Sequence, residues 1–139
     1  MRDPIIDHTG IGVADVARAA TFYDAALSAL GLRRVMQLPP NDGADGVGYG
    51  VEFPIFWIDR FHPHGVKQHT AFAARSREEV DAFYAAGLKA GGTDNGSPGI
   101  RDVAKGYPRG YYAAFVLDPD GNNVEAVFRE HRRAAGHRA

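Results

Sequence analysis

Apolar side chains recur at Val16, Ala19, Ala20, Tyr23, Leu27 and Leu30, the three-and-four spacing that lines one face of an α-helix. Asp15 stands at the N-cap position of that segment and Gly31 where a helix must stop. A second helix starts at Ser76-Arg77-Glu78-Glu79, which has the form of a capping box. There the Ser76 hydroxyl is predicted to accept from the Glu79 amide while the Glu79 carboxylate reaches back to the Ser76 amide. Val80, Phe83, Tyr84 and Leu88 then form the buried stripe, and Gly91-Gly92 ends it.

Alternating or β-branched segments predict strands over Asp7 to Val13, Arg33 to Leu38, Tyr49 to Phe53, Ile55 to Ile58, Tyr111 to Leu117 and Asn123 to Phe128. Asp118-Pro119-Asp120-Gly121 joins the last two as a turn, with proline and glycine at the positions a type I turn favours. Pro39 to Gly48 and Thr93 to Gly110, rich in glycine and proline, read as long loops of the kind that bind ligands.

The order strand, helix, strands occurs twice. His8-Thr9 returns as His69-Thr70, an offset of 61 positions (69 − 8), and at that offset Phe22-Tyr23 returns as Phe83-Tyr84, Leu27 as Leu88 and Gly31 as Gly92. A fixed offset without gaps points to a duplicated module. The first module spans about 5 to 59, the second about 67 to 128, and Arg60 to Val66 links them. Residues 129 to 139, with Arg129, Arg132, Arg133 and Arg138 among small residues, read as a flexible tail.

With 139 residues, 45% of them hydrophobic and 24% charged, the chain has room for a single domain with a real core. A net charge of −1, without a broad basic face, argues against a nucleic-acid partner. No apolar run approaches the length of a membrane helix and no signal-like stretch opens the chain, so membrane association is not expected and the cytoplasm is the expected location. The absence of cysteine removes disulfides and thiolate chemistry and leaves histidine and carboxylate as the metal donors.

Of six histidines, His131 and His137 fall in the tail and His62 and His64 in the linker. His8 and His69 occupy equivalent faces of equivalent strands, so duplication would bring two imidazoles to matching places. Glu125 is the third candidate ligand. On Asn123 to Phe128 it shares its face with neither Val124, Ala126 nor Phe128. Two histidines and one carboxylate suit one divalent ion, iron, manganese, zinc or nickel. Arg101, Tyr107, Arg109, Tyr111 and Tyr112, in or beside the long second loop, are the candidates for substrate contact. No dinucleotide fingerprint, nucleophile elbow or phosphate-cradling loop is present.

Asp7-His8-Thr9-Gly10-Ile11-Gly12-Val13, His69-Thr70-Ala71-Phe72 and Asp118-Pro119-Asp120-Gly121-Asn122-Asn123-Val124-Glu125 resemble the vicinal oxygen chelate superfamily of glyoxalases, bleomycin-resistance proteins and extradiol dioxygenases. The resemblance covers Ile5 to Phe128, and its glyoxalase-like bacterial branch is matched by Asp94 to Gly99 and Gly110 to Phe115. It implies an α+β fold of two tandem βαβββ modules, a cup-shaped mixed sheet with helices on the outside. It also implies metal ligands at His8, His69 and Glu125, a small-molecule substrate and a homodimer. Two departures bear on the reaction. Aligning Pro54 to Ile58 with Asn123 to Val127 puts Phe56, which cannot ligate, where glyoxalase I has a fourth ligand. The dioxygenase tyrosine is replaced by Phe115, and no histidine lies between His69 and His131. The leading expectation is a metal-dependent lyase, isomerase or dioxygenase acting on a small oxygen-bearing compound. The alternatives are a metal-free binding protein of the bleomycin-resistance kind, with Phe53, Phe56 and Trp57 in its pocket, and a ligandless dimerisation module.

Overall fold

The computed structural model describes residues 5–131. Two four-stranded mixed sheets are formed, each by one module. The first contains β1 (Thr9–Gly12), β2 (Arg33–Leu38), β3 (Gly46–Gly50) and β4 (Pro54–Asp59) in the order β1-β4-β3-β2, with α1 (Val16–Ser28) after β1. The second contains β5 (His69–Ala73), β6 (Thr93–Ile100), β7 (Tyr111–Leu117) and β8 (Asn123–Arg129) in the order β5-β8-β7-β6, with α2 (Arg77–Lys89) after β5. In both, the first strand runs parallel to the last and the remaining pairs are antiparallel. This is the α+β plan of two tandem βαβββ modules. Among the described residues no helix is long and apolar enough to cross a membrane.

Local chemistry sets the helix ends. The Asp15 carboxylate accepts from the Arg18 amide at 3.1 Å, and Gly31, at φ +84°, lets the Leu32 amide close on the Leu27 carbonyl at 3.0 Å. Ser76 takes the Glu79 amide at 3.1 Å as predicted. The reciprocal bond goes elsewhere: the Glu79 carboxylate accepts from the amide and the guanidinium of Arg75, both at 2.8 Å, one residue before the cap.

The third strand lies earlier than Tyr49 to Phe53. Gly46, Gly48 and Gly50 give it no apolar signature, so most of it reads as loop in sequence. The glycines have a steric reason. A β-carbon on Gly48 would stand 2.9 Å from the Trp57 ring, and one on Gly10 2.9 Å from the Trp57 β-carbon, so neither neighbouring strand has room for a side chain beside Trp57. The stretch Thr93 to Gly110 is likewise only partly loop. Its first eight residues are the edge strand β6, whose pairing with β7 shifts register twice, and Val103–Lys105 form a short 3-10 turn. Arg129, assigned to the tail by composition, is the last residue of β8, and Glu130 pairs with Arg77 at 2.6 Å. The rest of the expected tail, residues 132–139, lies outside the described residues.

One apolar cluster joins the modules. It includes Val16, Ala19, Phe22, Tyr23 and Leu27 of α1, Val80 and Phe83 of α2, Phe56 and Ile58 of β4, Phe72 of β5 and Val116 of β7. Phe22 reaches into the second module beside Gly87 and Gly92, where a β-carbon would stand 3.3 and 2.6 Å from its ring. The helix-bearing faces of both sheets thus share one core, and their opposite faces turn away from it.

A polar clamp crosses the same boundary. The Tyr23 hydroxyl donates to the buried Asp118 carboxylate at 2.6 Å, and the Ala14 amide donates to Asp120 at 2.8 Å. Burial, followed by the charge of Asp118, pushes the Tyr23 phenol well above its ordinary range, so it stays a donor. Tyr23→Phe is predicted to cost about 1.5–3 kcal/mol, the worth of a buried hydrogen bond to a charged acceptor. Urea unfolding checks this, with a lower midpoint at an unchanged slope as the expected result.

Candidate active site

Alternation along β7 and β8 decides which side chains meet on the face away from the core. Tyr111 pairs with Arg129, Ala113 with Val127 and Phe115 with Glu125, while Ala71 of β5 flanks Glu125 on its other side. Tyr111, Ala113 and Val127, with Tyr107 and Phe115 against them, form a second small apolar cluster separate from the main core. Glu125 is 3% exposed beside it.

A buried carboxylate needs partners, and Glu125 has two. The Tyr111 hydroxyl donates a short hydrogen bond to its Oε2, and Nε2 of His69 stands 3.1 Å from its Oε1. The other ring nitrogen of His69, Nδ1, is 3.2 Å from the Asn123 carbonyl. A carbonyl only accepts, so Nδ1 carries a proton, and the tautomer is fixed by the backbone of β8. Nε2 then either donates to Glu125 as part of an imidazolium or, deprotonated, offers a lone pair beside a carboxylate oxygen. Burial, then the bond to Glu125, raises the Tyr111 phenol well above its ordinary value, so it acts here as a donor.

His8 stands apart from this pair. It is exposed, just before β1, and its Nδ1 donates to the Asp7 carboxylate at 2.8 Å, which again leaves Nε2 outward. Among the described residues no three His, Cys, Asp or Glu side chains converge as a metal-holding group. The two donors that do meet have a separation suited to one. Ligands about 2.1 Å from a divalent ion and at right angles lie about 3 Å apart. Within one chain, then, the two predicted donors that meet are His69 and Glu125, and His8 is not beside them.

The remaining candidates separate by strand parity. Phe56 is not in this face. Parallel pairing sets Thr9 beside Phe56 and Gly10 beside Trp57, as it sets Thr70 beside Val124 and Ala71 beside Glu125. The module offset has grown from 61 to 68 (125 − 57) by the last strand, so Trp57, not Phe56, is the counterpart of Glu125. Phe56 is 1% exposed in the core, against Tyr23 and Phe72. Tyr112 points to the helix side of β7, where its hydroxyl donates to Asp81 at 2.6 Å and Arg77 stacks on its ring at 4.7 Å. Arg109 is exposed. Tyr107 packs on Tyr111 with ring centroids 5.1 Å apart, and the Arg101 guanidinium lies 5.1 Å from the Phe115 ring centroid. Arg129, missed in sequence, lies 5.0 Å from the Tyr111 ring centroid. Its pairing with Tyr111 follows only from the length of β8. A groove lined by Arg34, Val35, Met36, Gln37, Leu38 and Pro40 runs along β2, in the other sheet.

This doubled fold, with a histidine at the start of each module and a glutamate on the last strand of the second, defines a class. The family model of the Glyoxalase/Bleomycin resistance protein/Dioxygenase superfamily matches residues 5–126, and the chain belongs to that family. A glyoxalase/bleomycin resistance protein from Albidiferax ferrireducens T118 is 34% identical, with a TM-score of 0.71 over 91% of this chain and 99% of that one. A lactoylglutathione lyase from Agrobacterium tumefaciens, 21% identical, shares the fold at a TM-score of 0.62 over 91% of this chain and 95% of its own. A glyoxalase/bleomycin resistance protein/dioxygenase family enzyme from Burkholderia phytofirmans PsJN does so at 17% identity and 0.64, covering 89% and 98%. No curated protein matches.

The raised phenols have a consequence for stability. A folded-state value above the unfolded one, near 10, means that the folded protein holds the proton longer, so the stabilisation is full below about pH 10 and is lost above it. Tyr111→Phe is predicted to make the alkaline fall in unfolding free energy shallower, read from urea unfolding between pH 9 and about pH 11.

Proposed function

We propose that the chain is a metal-dependent enzyme of its superfamily acting on a small oxygen-bearing substrate, with the His69–Glu125 pair at its centre. The observation that supports this most is the orientation of His69: the Asn123 carbonyl holds Nδ1, and Nε2 stands 3.1 Å from a carboxylate oxygen. A backbone acceptor behind a histidine is the usual support of a liganding imidazole. Asp7 gives His8 a similar support.

His69 and Glu125 would hold the ion. Tyr111 donates to Oε2, which would leave Oε1 of Glu125 to hold the ion. The third donor is the His8 imidazole of a second copy of the chain. Two observations favour this: β1 and β5 are each the outer strand of their sheet, and the faces bearing Trp57 and Glu125 turn away from the shared core. Iron, manganese, zinc and nickel all suit such a set. A divalent ion, when bound, polarises a chelated substrate oxygen as a Lewis acid. Tyr111 contributes a hydrogen-bond donor, and the Tyr107–Tyr111–Phe115 surface would offer the substrate an apolar wall. Lyase, isomerase and dioxygenase chemistries all use such a chelate.

Elemental analysis of tag-free protein dialysed against each metal tests the reading, with about one ion per chain expected and loss of that ion in His69→Ala and Glu125→Ala. Dimers mixed from His8→Ala and Glu125→Ala chains regain about one ion per pair, because one of their two shared sites is intact. Metal retained in both single variants contradicts the ligand set. No regain in mixed dimers contradicts sharing. No ion from any of the four metals turns the reading to a metal-free binding protein.

A further inference from the structure

Two guanidinia lie over the aromatic rings of the face that bears Glu125. Arg18, Arg34, Arg60, Arg75 and Arg77 each stand within ion-pair distance of a carboxylate. Arg101 and Arg129 have no carboxylate partner among the described residues. Each instead lies on an aromatic ring of the site face, Arg101 on Phe115 and Arg129 on Tyr111. Arg101 is further braced by donating from Nη2 to the Ser97 carbonyl at 2.8 Å, which leaves its other N–H groups free. Both side chains are half-buried.

The two positions are separated along β7 by the length of the apolar surface. Phe115 pairs with Glu125, Tyr111 with Arg129, and Ala113 with Val127 between them. A molecule seated here meets small and aromatic side chains along its body, a cation at either end, and the His69–Glu125 pair at one edge. Glu125 is the one carboxylate of this group, and Tyr111 already donates to it. Two guanidinia against one carboxylate leave the face with a positive excess. A guanidinium over a ring keeps edge N–H groups for a carboxylate, which its planar fork matches.

We propose that the substrate of this site is a small planar carboxylate, an aromatic or conjugated acid, whose carboxylate is taken by Arg101 or Arg129 while its flat body lies on the Tyr107–Tyr111–Phe115 surface. This rests on reading the His69–Glu125 face as the active site. It excludes cationic ligands from that face and makes neutral analogues weak ones.

The test uses benzoate, its uncharged isostere benzamide, its cationic counterpart benzylammonium and acetate, which lacks the ring. Each is titrated into the full-length protein, metal-loaded and chelator-treated, and followed by amide chemical shifts and calorimetry. Benzoate is expected to bind saturably with shifts centred on β7 and β8, at least tenfold more tightly than benzamide or acetate, and benzylammonium not to bind. Arg101→Ala or Arg129→Ala is expected to weaken benzoate at least tenfold while the unfolding midpoint and metal content stay at wild-type values. The corresponding lysine variants, which keep charge but lose the fork, are expected to fall between. Binding that persists in chelator-treated protein keeps this result separate from the metal reading. Equal binding of benzamide, shifts centred elsewhere, benzoate binding that needs metal and ignores both arginines, or no benzoate binding at all would overturn the proposal.

Discussion

One buried carboxylate holds the parts of this molecule in register. Asp118, 3% exposed, accepts four hydrogen bonds: from the Tyr23 hydroxyl at 2.6 Å and, each at 2.9 Å, from the Asn122 side chain and the amides of Asp120 and Asn122. A buried charge with fewer partners would be costly; with four it becomes a joint. Through Tyr23 the turn grips α1 of the first module. Through Asn122, whose Oδ1 accepts from the Gln68 amide at 2.8 Å, it grips the start of β5 one residue before His69. The Asn123 amide donates to the Gln68 carbonyl at 2.8 Å, and the carbonyl of the same Asn123 orients the His69 ring. The site geometry therefore depends on a turn seven residues from Glu125.

Duplication supplied two copies of one sheet, and the copies have diverged on the face that matters. In the second module that face carries His69, Glu125, Tyr111 and Phe115. In the first, the position of Glu125 is held by Trp57, with Gly10 and Gly48 in the strands on either side of it. A carboxylate facing an imidazole offers polar donor atoms; a broad indole offers a flat apolar surface. The modules keep a common core because the opposite parity, with Ile11, Phe56 and Ile58 in one and Phe72, Val124 and Ala126 in the other, stays apolar.

Much of this was legible in sequence, for local reasons. Both helices, their caps, the turn at Asp118 and the strands β7 and β8 follow from periodicity and capping chemistry, and the 61-residue offset exposed the duplication. What was hidden depended on register or on glycine. Strand β3 has too few side chains to show alternation, and β6 carries glycines and a proline that read as loop. Aligning Pro54 to Ile58 with Asn123 to Val127 misses the Glu125 counterpart by one residue, because the second module is longer between its second and last strands and one residue exchanges the faces of a strand. Tyr111 and Tyr112 look alike in sequence, yet only the first faces Glu125. Arg129 was hidden by the basic composition that follows it. That His69 meets Glu125 follows from the parallel pairing of β5 with β8, which the sequence does not display; that His8 stands apart is a matter of how the modules pack.

The central claim is that the backbone of β8 fixes His69 with Nδ1 protonated and Nε2 presented beside Glu125. Long-range proton–nitrogen spectra of the His69 ring, recorded in metal-free protein and again on adding zinc, test it most directly. The account predicts a proton on Nδ1 throughout and a large nitrogen shift at Nε2 on adding zinc, with Nδ1 little changed. A proton on Nε2 in the neutral ring, or an Nε2 indifferent to the metal, would contradict it.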